Sequence, residues 1–194
     1  MLKLKKAGYR EMHQYYAIMQ EDFSKDELVP EIVFQKALLQ HTADLVLVVD
    51  DTIKNTIAYA LVCPKSLYGY GLLWFFAVLP WYRGRGLGTE AMKLINQKYG
   101  RLRGMMLEIT EMPDAAAANR RIRFYNNVGY RVVKTGDIRL NGIPMKIMVR
   151  QPASAPDPGP YIHRILPEIY SHMFSEPMVK KLLDIQPLKK RKFL

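Results

Sequence analysis

Cysteine is nearly absent from this chain of 194 residues, in which Cys63 is the single one. A lone cysteine cannot close an internal disulfide, and it offers none of the paired spacings of a structural zinc site. The four histidines, His13, His41, His163 and His172, show no spacing typical of metal ligands either. We therefore predict a protein of the reducing cytoplasm that holds no metal.

Long hydrophobic runs are also missing. The longest, from Leu72 to Pro80, is far shorter than the roughly 20 residues that a membrane-spanning helix needs. The first residues, MLKLKKAGYREMHQYY, contain no apolar signal-peptide core, so we expect a chain that neither spans a membrane nor is secreted. Hydrophobic residues make up 49% of the chain and charged residues only 24%, which excludes global disorder. The length suits one domain with an appendage.

Acidic residues are scarce in the middle of the chain. The net charge is +11, to which residues 1–80 contribute −1, residues 81–150 contribute +9 and residues 151–194 contribute +3. Such a concentrated positive segment favours an anionic partner, which can be a phosphorylated cofactor, a nucleic acid or an anionic membrane surface. Charge alone does not choose among these three.

Hydrophobic periodicity predicts a mixed chain of helices and strands. The main predicted helices are Glu11–Phe23, a segment that starts at Pro30, a segment after Gly86, Asn119–Val128, Tyr161–Phe174 and Pro177–Ile185. The main predicted strands are Leu45–Val49, Thr56–Val62, Leu72–Leu79, Met105–Thr110, Tyr130–Lys134 and Pro144–Val149. A proline-rich stretch then divides the chain into a domain of residues 1–150, a linker of residues 151–160 and an extension of residues 161–194 with a basic tail.

A glycine-rich loop lies between the apolar strand and the next helix. In the sequence RGRGLGT, residues 83–89, the glycines allow a tight turn, and successive amides at a helix N-terminus can bind phosphate oxygens. The spacing is neither that of a Walker loop nor that of the dinucleotide fingerprint. A plain strand-to-helix turn with solvent-facing arginines explains the same glycines, so both interpretations stay open at this point.

A second motif, NRRIRFYNNVGY, spans Asn119 to Tyr130 and ends on a glycine that suits a helix stop. Taken alone, Phe124 and Tyr125 are ordinary core aromatics. Taken together, this motif and the VLPWYRGRGLG of residues 78–88 resemble the GCN5-related N-acetyltransferases, the GNAT family. The resemblance is specific over residues 78–130, and the layout fits over residues 1–150.

This resemblance implies a mostly antiparallel sheet, flanked by helices on both faces, in which two parallel strands part to form a V-shaped gap for acetyl-CoA. It implies that the backbone of Val78 pairs with the pantetheine arm, that Asn119 binds the same arm and that Tyr125 protonates the leaving thiolate. The pyrophosphate would be held by the loop residues Arg83, Gly84, Arg85, Gly86, Leu87, Gly88 and Thr89.

The base that would deprotonate an amine acceptor is less obvious. Many family members use a carboxylate on the central strand, but Leu72–Leu79 contains none. The nearest candidates are Glu108, on the next strand, and Glu111 and Asp114 just after it. Strand alternation allows Glu108 to face the gap, although a solvated or ion-paired carboxylate is the simpler interpretation of each residue. Among them, Glu111 is the expected base.

The resemblance leads us to expect an acetyl-CoA-dependent N-acetyltransferase that acts on a primary amine of a small metabolite, peptide or protein, as a monomer or homodimer. A cluster of acidic residues in the first two helices suggests a cationic acceptor: Glu21, Asp22, Asp26, Glu27 and Glu31. Two alternatives remain, a non-catalytic acyl-CoA sensor and a basic nucleic-acid-binding protein. The second is not favoured, since no DNA- or RNA-binding signature is present.

Overall fold

The computed structural model describes residues 1–110 and 114–188, so Glu111 and the basic tail from Lys189 to Lys192 lie outside the described residues. Six α-helices are present in this part of the chain: α1 (Tyr9–Asp22), α2 (Glu31–Leu39), α3 (Leu87–Lys98), α4 (Ala115–Asn127), α5 (Ile162–Ser171) and α6 (Glu176–Leu182). The first strands are β1 (Leu2–Ala7), β2 (Asp44–Asp50), β3 (Asn55–Cys63), β4 (Tyr70–Val78) and β5 (Gly104–Thr110). The later ones are β6 (Arg131–Val132), β7 (Ile138–Leu140), β8 (Ile143–Arg150) and β9 (Leu183–Ile185).

The strands form one sheet in the order β1-β2-β3-β4-β5-β8-β7-β9, with β6 paired to β8. Every pairing is antiparallel except that of β4 with β5, where Tyr70–Leu72 lies beside Gly104–Met106. Beyond these three pairs β4 runs on to Val78 and β5 to Thr110 without pairing to each other. The predicted V-shaped gap between two parallel strands is therefore confirmed.

Helices cover both faces of the sheet, as predicted. Met12 of α1, Phe34 of α2 and Leu166 of α5 are fully buried in one core cluster. Ala91 of α3 and Ala118 of α4 belong to a second cluster on the opposite face. Because successive strand residues point to opposite faces, β3 serves both clusters, with Leu61 in the first and Val62 in the second.

The extension after residue 150 packs against the domain. Helix α5 buries an apolar stripe in the first core cluster, formed by Ile162, Ile165, Leu166, Ile169 and Tyr170. The proline-rich stretch before it is also packed, because a Cβ atom added to buried Gly159 would lie 2.2 Å from the Lys134 carbonyl oxygen. This segment therefore runs against the domain surface.

The end of the extension differs from its predicted helix. Helix α6 stops at Leu182, and the next three residues form β9, which pairs with β7 through Leu183–Leu140, Asp184–Arg139 and Ile185–Ile138. The prediction of helix up to Ile185 was wrong because backbone pairing with a distant strand overrides local helical periodicity. Among the described residues, no helix combines the length and apolar character needed to cross a bilayer.

Candidate active site

The diverging halves of β4 and β5 open onto a cleft of about 840 Å³. Its floor and walls come from both strands, from the end of α1, from α4 and from the β7–β8 hairpin. The polar residues that line it are Glu21, Asp22, Glu27, Arg83, Glu108, Thr110, Arg120, Arg121 and Tyr125. Three residues predicted for the site, Arg83, Glu108 and Tyr125, are therefore brought together, and Val78 lines the same cleft.

The glycine-rich loop is shaped to bind an anion at the N-terminus of α3. Gly84 and Gly86 both have a φ of 74°, a left-handed conformation that favours glycine. In the described part of the chain, no acceptor receives the N–H groups of residues 84–88. A Cβ atom at Gly84 or Gly86 would meet nothing within 4 Å, so there is open space beside both glycines. Free amides and the positive end of a helix dipole together favour phosphate oxygens.

The last two residues predicted for this loop have packing roles. A Cβ atom at Gly88 would lie 3.2 Å from Val78 Cγ2 and 3.4 Å from Phe124 Cε2, so glycine lets α3 approach β4 and α4 closely. The Thr89 N–H donates to the Gly86 carbonyl oxygen at 3.0 Å and closes the first turn of α3. Leu87 is the first residue of that helix.

Arg83 and Val78 are linked directly. The Arg83 Nε–H donates to the Val78 carbonyl oxygen at 2.8 Å, and the Arg83 Nη2 forms an ion pair with Asp22 at the end of α1. The Leu79 N–H donates to the carbonyl oxygen of Ile57 in β3 at 2.8 Å. Since the backbone groups of neighbouring strand residues point to opposite sides, those of Val78 face the gap. Arg85 is exposed.

Glu108 is the acidic residue on β5 that lines the cleft, and its carboxylate is withdrawn from water. The Tyr170 hydroxyl donates to Glu108 Oε2 at 2.8 Å, whereas Oε1 is buried and has no hydrogen-bond partner among the described residues. Burial penalises the charged form and raises the pKa of Glu108 from 4.5 to about 7, although the bond from Tyr170 opposes this rise. Glu108 can therefore exchange a proton near neutral pH.

Tyr125 lines the cleft from α4, where its ring makes edge contacts with Phe124 and Tyr130 at centroid distances of 5.0 Å and 5.7 Å. Burial raises the pKa of its phenol above the ordinary value of 10.0, and nearby Arg121 partly opposes the rise. The phenol therefore remains a proton donor at neutral pH. Asn119 lies on the same helix but is exposed and does not line the cleft.

Acidic residues from the first helices form one wall of the cleft. Glu27 Oε1 accepts from the Thr110 hydroxyl at 3.2 Å, and Asp22 Oδ2 accepts from the Tyr59 hydroxyl at 3.1 Å. Glu21 lines the same wall. Of the five acidic residues noted in this segment, these three reach the cleft, whereas Asp26 and Glu31 do not line it.

Sequence reasoning missed three residues of this site. Arg120 and Arg121 line the cleft from α4, and Arg121 Nη2 donates to the Thr110 carbonyl oxygen at 2.9 Å. Both lie within the NRRIRFYNNVGY motif, whose adjacent arginines were the available signal. Tyr170 comes from the extension, and no local pattern indicates its contact with Glu108. In residues 1–110 and 114–188, no group of three or more His, Cys, Asp or Glu side chains could hold a metal ion.

Comparison with known proteins agrees with this geometry. Residues 42–132 match the family model described as an acetyltransferase (GNAT) domain. This range covers β2 to β6 and thus the whole loop of residues 83–89 and both strands of the gap. No curated protein matches the sequence significantly.

Solved structures of GNAT proteins share the fold. A protein described as a GNAT-family acetyltransferase from Bacteroides thetaiotaomicron superposes with a TM-score of 0.65 and 17% identity over 79% of this chain and 89% of that one. Spermidine N-acetyltransferase from Vibrio cholerae, solved with CoA and spermine, superposes with a TM-score of 0.59 and 12% identity. The match covers 76% of this chain and 94% of that one. AAC(6')-Ib, solved with paromomycin and acetyl-CoA, superposes with a TM-score of 0.59 and 13% identity. The match covers 78% of this chain and 93% of that one. At these identities the likeness concerns the fold: the chain has the fold of the GNAT acetyltransferases, and its residues 42–132 match the model of their domain.

Proposed function

We propose that the protein transfers the acetyl group of acetyl-CoA to a primary amine by direct attack in a ternary complex. The observation that carries this proposal is the placement of Glu108 and Tyr125 in one cleft beside a loop with free amides. A proton acceptor, a proton donor and an anion-binding loop are the three groups that this reaction requires.

The loop geometry fits the diphosphate of coenzyme A. Within the described part of the chain, the N–H groups of residues 84–88 have no acceptor, and a Cβ atom at Gly84 or Gly86 would meet nothing within 4 Å. Arg85 is exposed beside them and can add positive charge, while Arg83 is held by Asp22 and Val78. The backbone N–H of Val78 faces the gap, where an extended amide chain such as pantetheine can pair with it.

Glu108 and Tyr125 supply the proton transfers. Bound acetyl-CoA provides the acetyl carbon, whose bond to sulfur breaks as the bond to the acceptor nitrogen forms. An alkylammonium acceptor titrates near 10.4 and must lose its proton before attack, and Glu108 accepts that proton directly or through one water. Tyr125 donates its phenolic proton to the departing thiolate. The nitrogen releases its second proton to solvent as the amide forms, and Tyr125 recovers a proton from solvent. Glu108, with a pKa of about 7, is a better base than an ordinary carboxylate.

The acidic wall favours a cationic acceptor. Glu21, Asp22 and Glu27 line the cleft, and their negative charges attract an amine that carries further positive groups. Structural relatives support the same class, since one is named for spermidine and another was solved with an aminoglycoside. The buried, free thiol of Cys63 suits the reducing cytoplasm, where we place the reaction.

An assay of thiol release from acetyl-CoA over a panel of primary amines tests the proposal. We expect turnover with di- and polycationic amines and little with anionic ones. Binding of acetyl-CoA without turnover on any amine would instead identify an acyl-CoA sensor. Tight, salt-dependent binding of DNA or RNA without acetyl-CoA binding would favour a nucleic-acid-binding protein.

A further inference from the structure

The extension places one side chain directly on the catalytic cleft's buried carboxylate. Tyr170 of α5 is 1% exposed and donates to Glu108 Oε2 at 2.8 Å. This bond occupies one carboxylate oxygen, and the other, Oε1, has no partner among the described residues. The two oxygens of Glu108 therefore differ: Oε2 is held by a hydrogen bond, whereas Oε1 keeps its capacity to accept one.

Helix α5 is fixed at this position by several independent contacts. Phe174 packs edge-on against Trp74, a residue of the cleft wall, with ring centroids 5.8 Å apart, and Phe174 also stacks on Tyr170 at 5.7 Å. The carboxylate of Glu168 accepts from the Leu67 N–H at 3.1 Å. Because these contacts reach both the strand β4 and the loop before it, Tyr170 is held rigidly against Glu108.

We propose that Tyr170 is the positioning residue for Glu108, so that the extension completes the active site. The proposal rests on the proposed function, in which Glu108 accepts the acceptor's proton. The phenol holds the carboxylate in one orientation and directs Oε1 to the acceptor. A donor bond to a carboxylate also favours its charged form, which is the form that can accept a proton.

The surroundings of Glu108 leave Tyr170 as its main polar contact. Glu108 also interacts electrostatically with the buried Cys63 thiol of β3, and burial raises the pKa of both Cys63 and Tyr170 well above their ordinary values. Both groups therefore stay protonated at neutral pH. Lys146 of β8 lies in register with the neighbouring Ile109. The remaining charged or titratable groups of the cleft are Glu21, Asp22, Glu27, Arg83, Arg120, Arg121 and Tyr125.

The test compares the full-length protein with Tyr170→Phe, which removes the hydroxyl and keeps the ring. Its matched control is Tyr99→Phe, because the Tyr99 hydroxyl donates to a carboxylate oxygen of Asp44 at 2.9 Å outside the cleft. Two quantities are measured for each: the pKa of Glu108 by NMR of glutamate labelled with ¹³C at Cδ, and the pH profile of kcat/KM with one acceptor. The Glu108 signal is assigned by its loss in Glu108→Gln.

Tyr170→Phe should raise the Glu108 pKa and move the acidic limb of the profile upward by about 1 pH unit, as expected for loss of a hydrogen bond to a charged group. The rate at pH 6 should fall roughly 10-fold, while Tyr99→Phe leaves both quantities in place. A 3-fluorotyrosine at position 170 is a stronger donor that keeps the shape of the side chain. It should lower the Glu108 pKa and move the acidic limb of the profile downward. This second substitution keeps the test decisive if Tyr170→Phe does not fold.

An unchanged Glu108 pKa in both Tyr170 variants would overturn the proposal, even if activity falls. A shifted Glu108 pKa with an unmoved rate profile would show that Tyr170 controls Glu108 but that Glu108 is not the base, which contradicts the proposed mechanism and the positioning role. Absence of acetyl transfer by the wild-type protein would refute the proposed function itself, and the NMR titration would still report the contact.

Discussion

Arg83, the first residue of the glycine-rich loop, forms an ion pair with Asp22 at the end of α1 and donates to the Val78 carbonyl oxygen. Asp22 is nearly buried, with 7% of its side chain exposed, and it also accepts from Tyr59. The glycine-rich loop and the acidic wall of the cleft are thus joined through one carboxylate. A change at Asp22 should affect the two parts of the cleft together.

Replacement of Asp22 by Asn should lower the free energy of unfolding by about 2 kcal/mol, because the charged carboxylate of Asp22 is nearly buried and accepts from both Arg83 and Tyr59. Urea denaturation measures this value. Asp51→Asn is the control, since Asp51 pairs with Lys3 and Lys54 on the surface, where ion pairs contribute little to stability. Equal losses in the two variants would contradict the structural role of Asp22.

Substitution of Gly86 by Ala should weaken acetyl-CoA binding, because a side chain strains the left-handed turn and displaces the free amides. Gly142→Ala is the matched control: its φ is 78°, and a Cβ atom there also meets nothing within 4 Å. Both variants should lose about 1 kcal/mol of stability. Calorimetry with acetyl-CoA should show reduced affinity in Gly86→Ala alone, and a similar reduction in both would argue against the loop as the binding site.

Tyr125→Phe removes the proposed proton donor and keeps the ring contacts with Phe124 and Tyr130. We expect kcat to fall by roughly 100-fold or more while the KM for acetyl-CoA changes little. Tyr130→Phe serves as the control, because the Tyr130 hydroxyl donates to Asn96 at 3.0 Å on the buried side. Steady-state kinetics measures kcat and the KM for acetyl-CoA of both variants. A Tyr125→Phe enzyme with full kcat would exclude this residue as the acid.

Stability should depend on pH through Glu108. Its pKa is raised from 4.5 to about 7 in the folded protein, so the folded state binds the proton more tightly than the unfolded state. The wild-type protein should therefore lose roughly 3 kcal/mol relative to Glu108→Gln as the pH rises from 4 to 8. Urea denaturation at each pH measures the difference.

Glu176→Gln is the comparison, because the stability that Glu176 contributes should change with pH in the opposite direction. Lys180 lowers the pKa of Glu176, so the stabilisation from this carboxylate is present at neutral pH and is lost as the pH falls. A pH-independent difference between wild type and Glu108→Gln would mean that the Glu108 carboxylate is not withdrawn from water.

Glu27→Gln should raise the KM for a polycationic acceptor several-fold, with a smaller change for a monoamine of the same length, because the cleft loses one negative charge. Asp26→Asn is the neighbouring control, since Asp26 is exposed and does not line the cleft. The comparison is made at low salt, where the effect is largest. If both variants change KM equally, general surface charge rather than the cleft selects the acceptor.

The sequence predicted the sheet and the loop well because their signals are local. An apolar strand, three alternating glycines and an amphipathic helix lie within residues 72–98, so periodicity and glycine placement were sufficient. The cleft position of Tyr125 also followed from a motif within one helix. In contrast, no local pattern indicated that Arg83, which is expected on the pyrophosphate, pairs with Asp22, a residue 61 positions earlier.

Long-range pairing explains what the sequence did not reveal. Residues 183–185 extend a helical pattern, yet they form β9 because β7 offers free backbone groups. The contact of Tyr170 with Glu108 joins residues 62 positions apart through the folded core. The expected base, Glu111, lies outside the described residues, so its role stays a prediction. The burial of the Glu108 carboxylate follows from the three-dimensional fold and was not visible in the sequence.

The most direct test of the account is a crystal structure of the protein with coenzyme A. We predict that the diphosphate lies within hydrogen-bonding distance of the N–H groups of residues 84–88, with the thiol between Tyr125 and Glu108. A diphosphate bound elsewhere, with water filling the loop, would contradict the account.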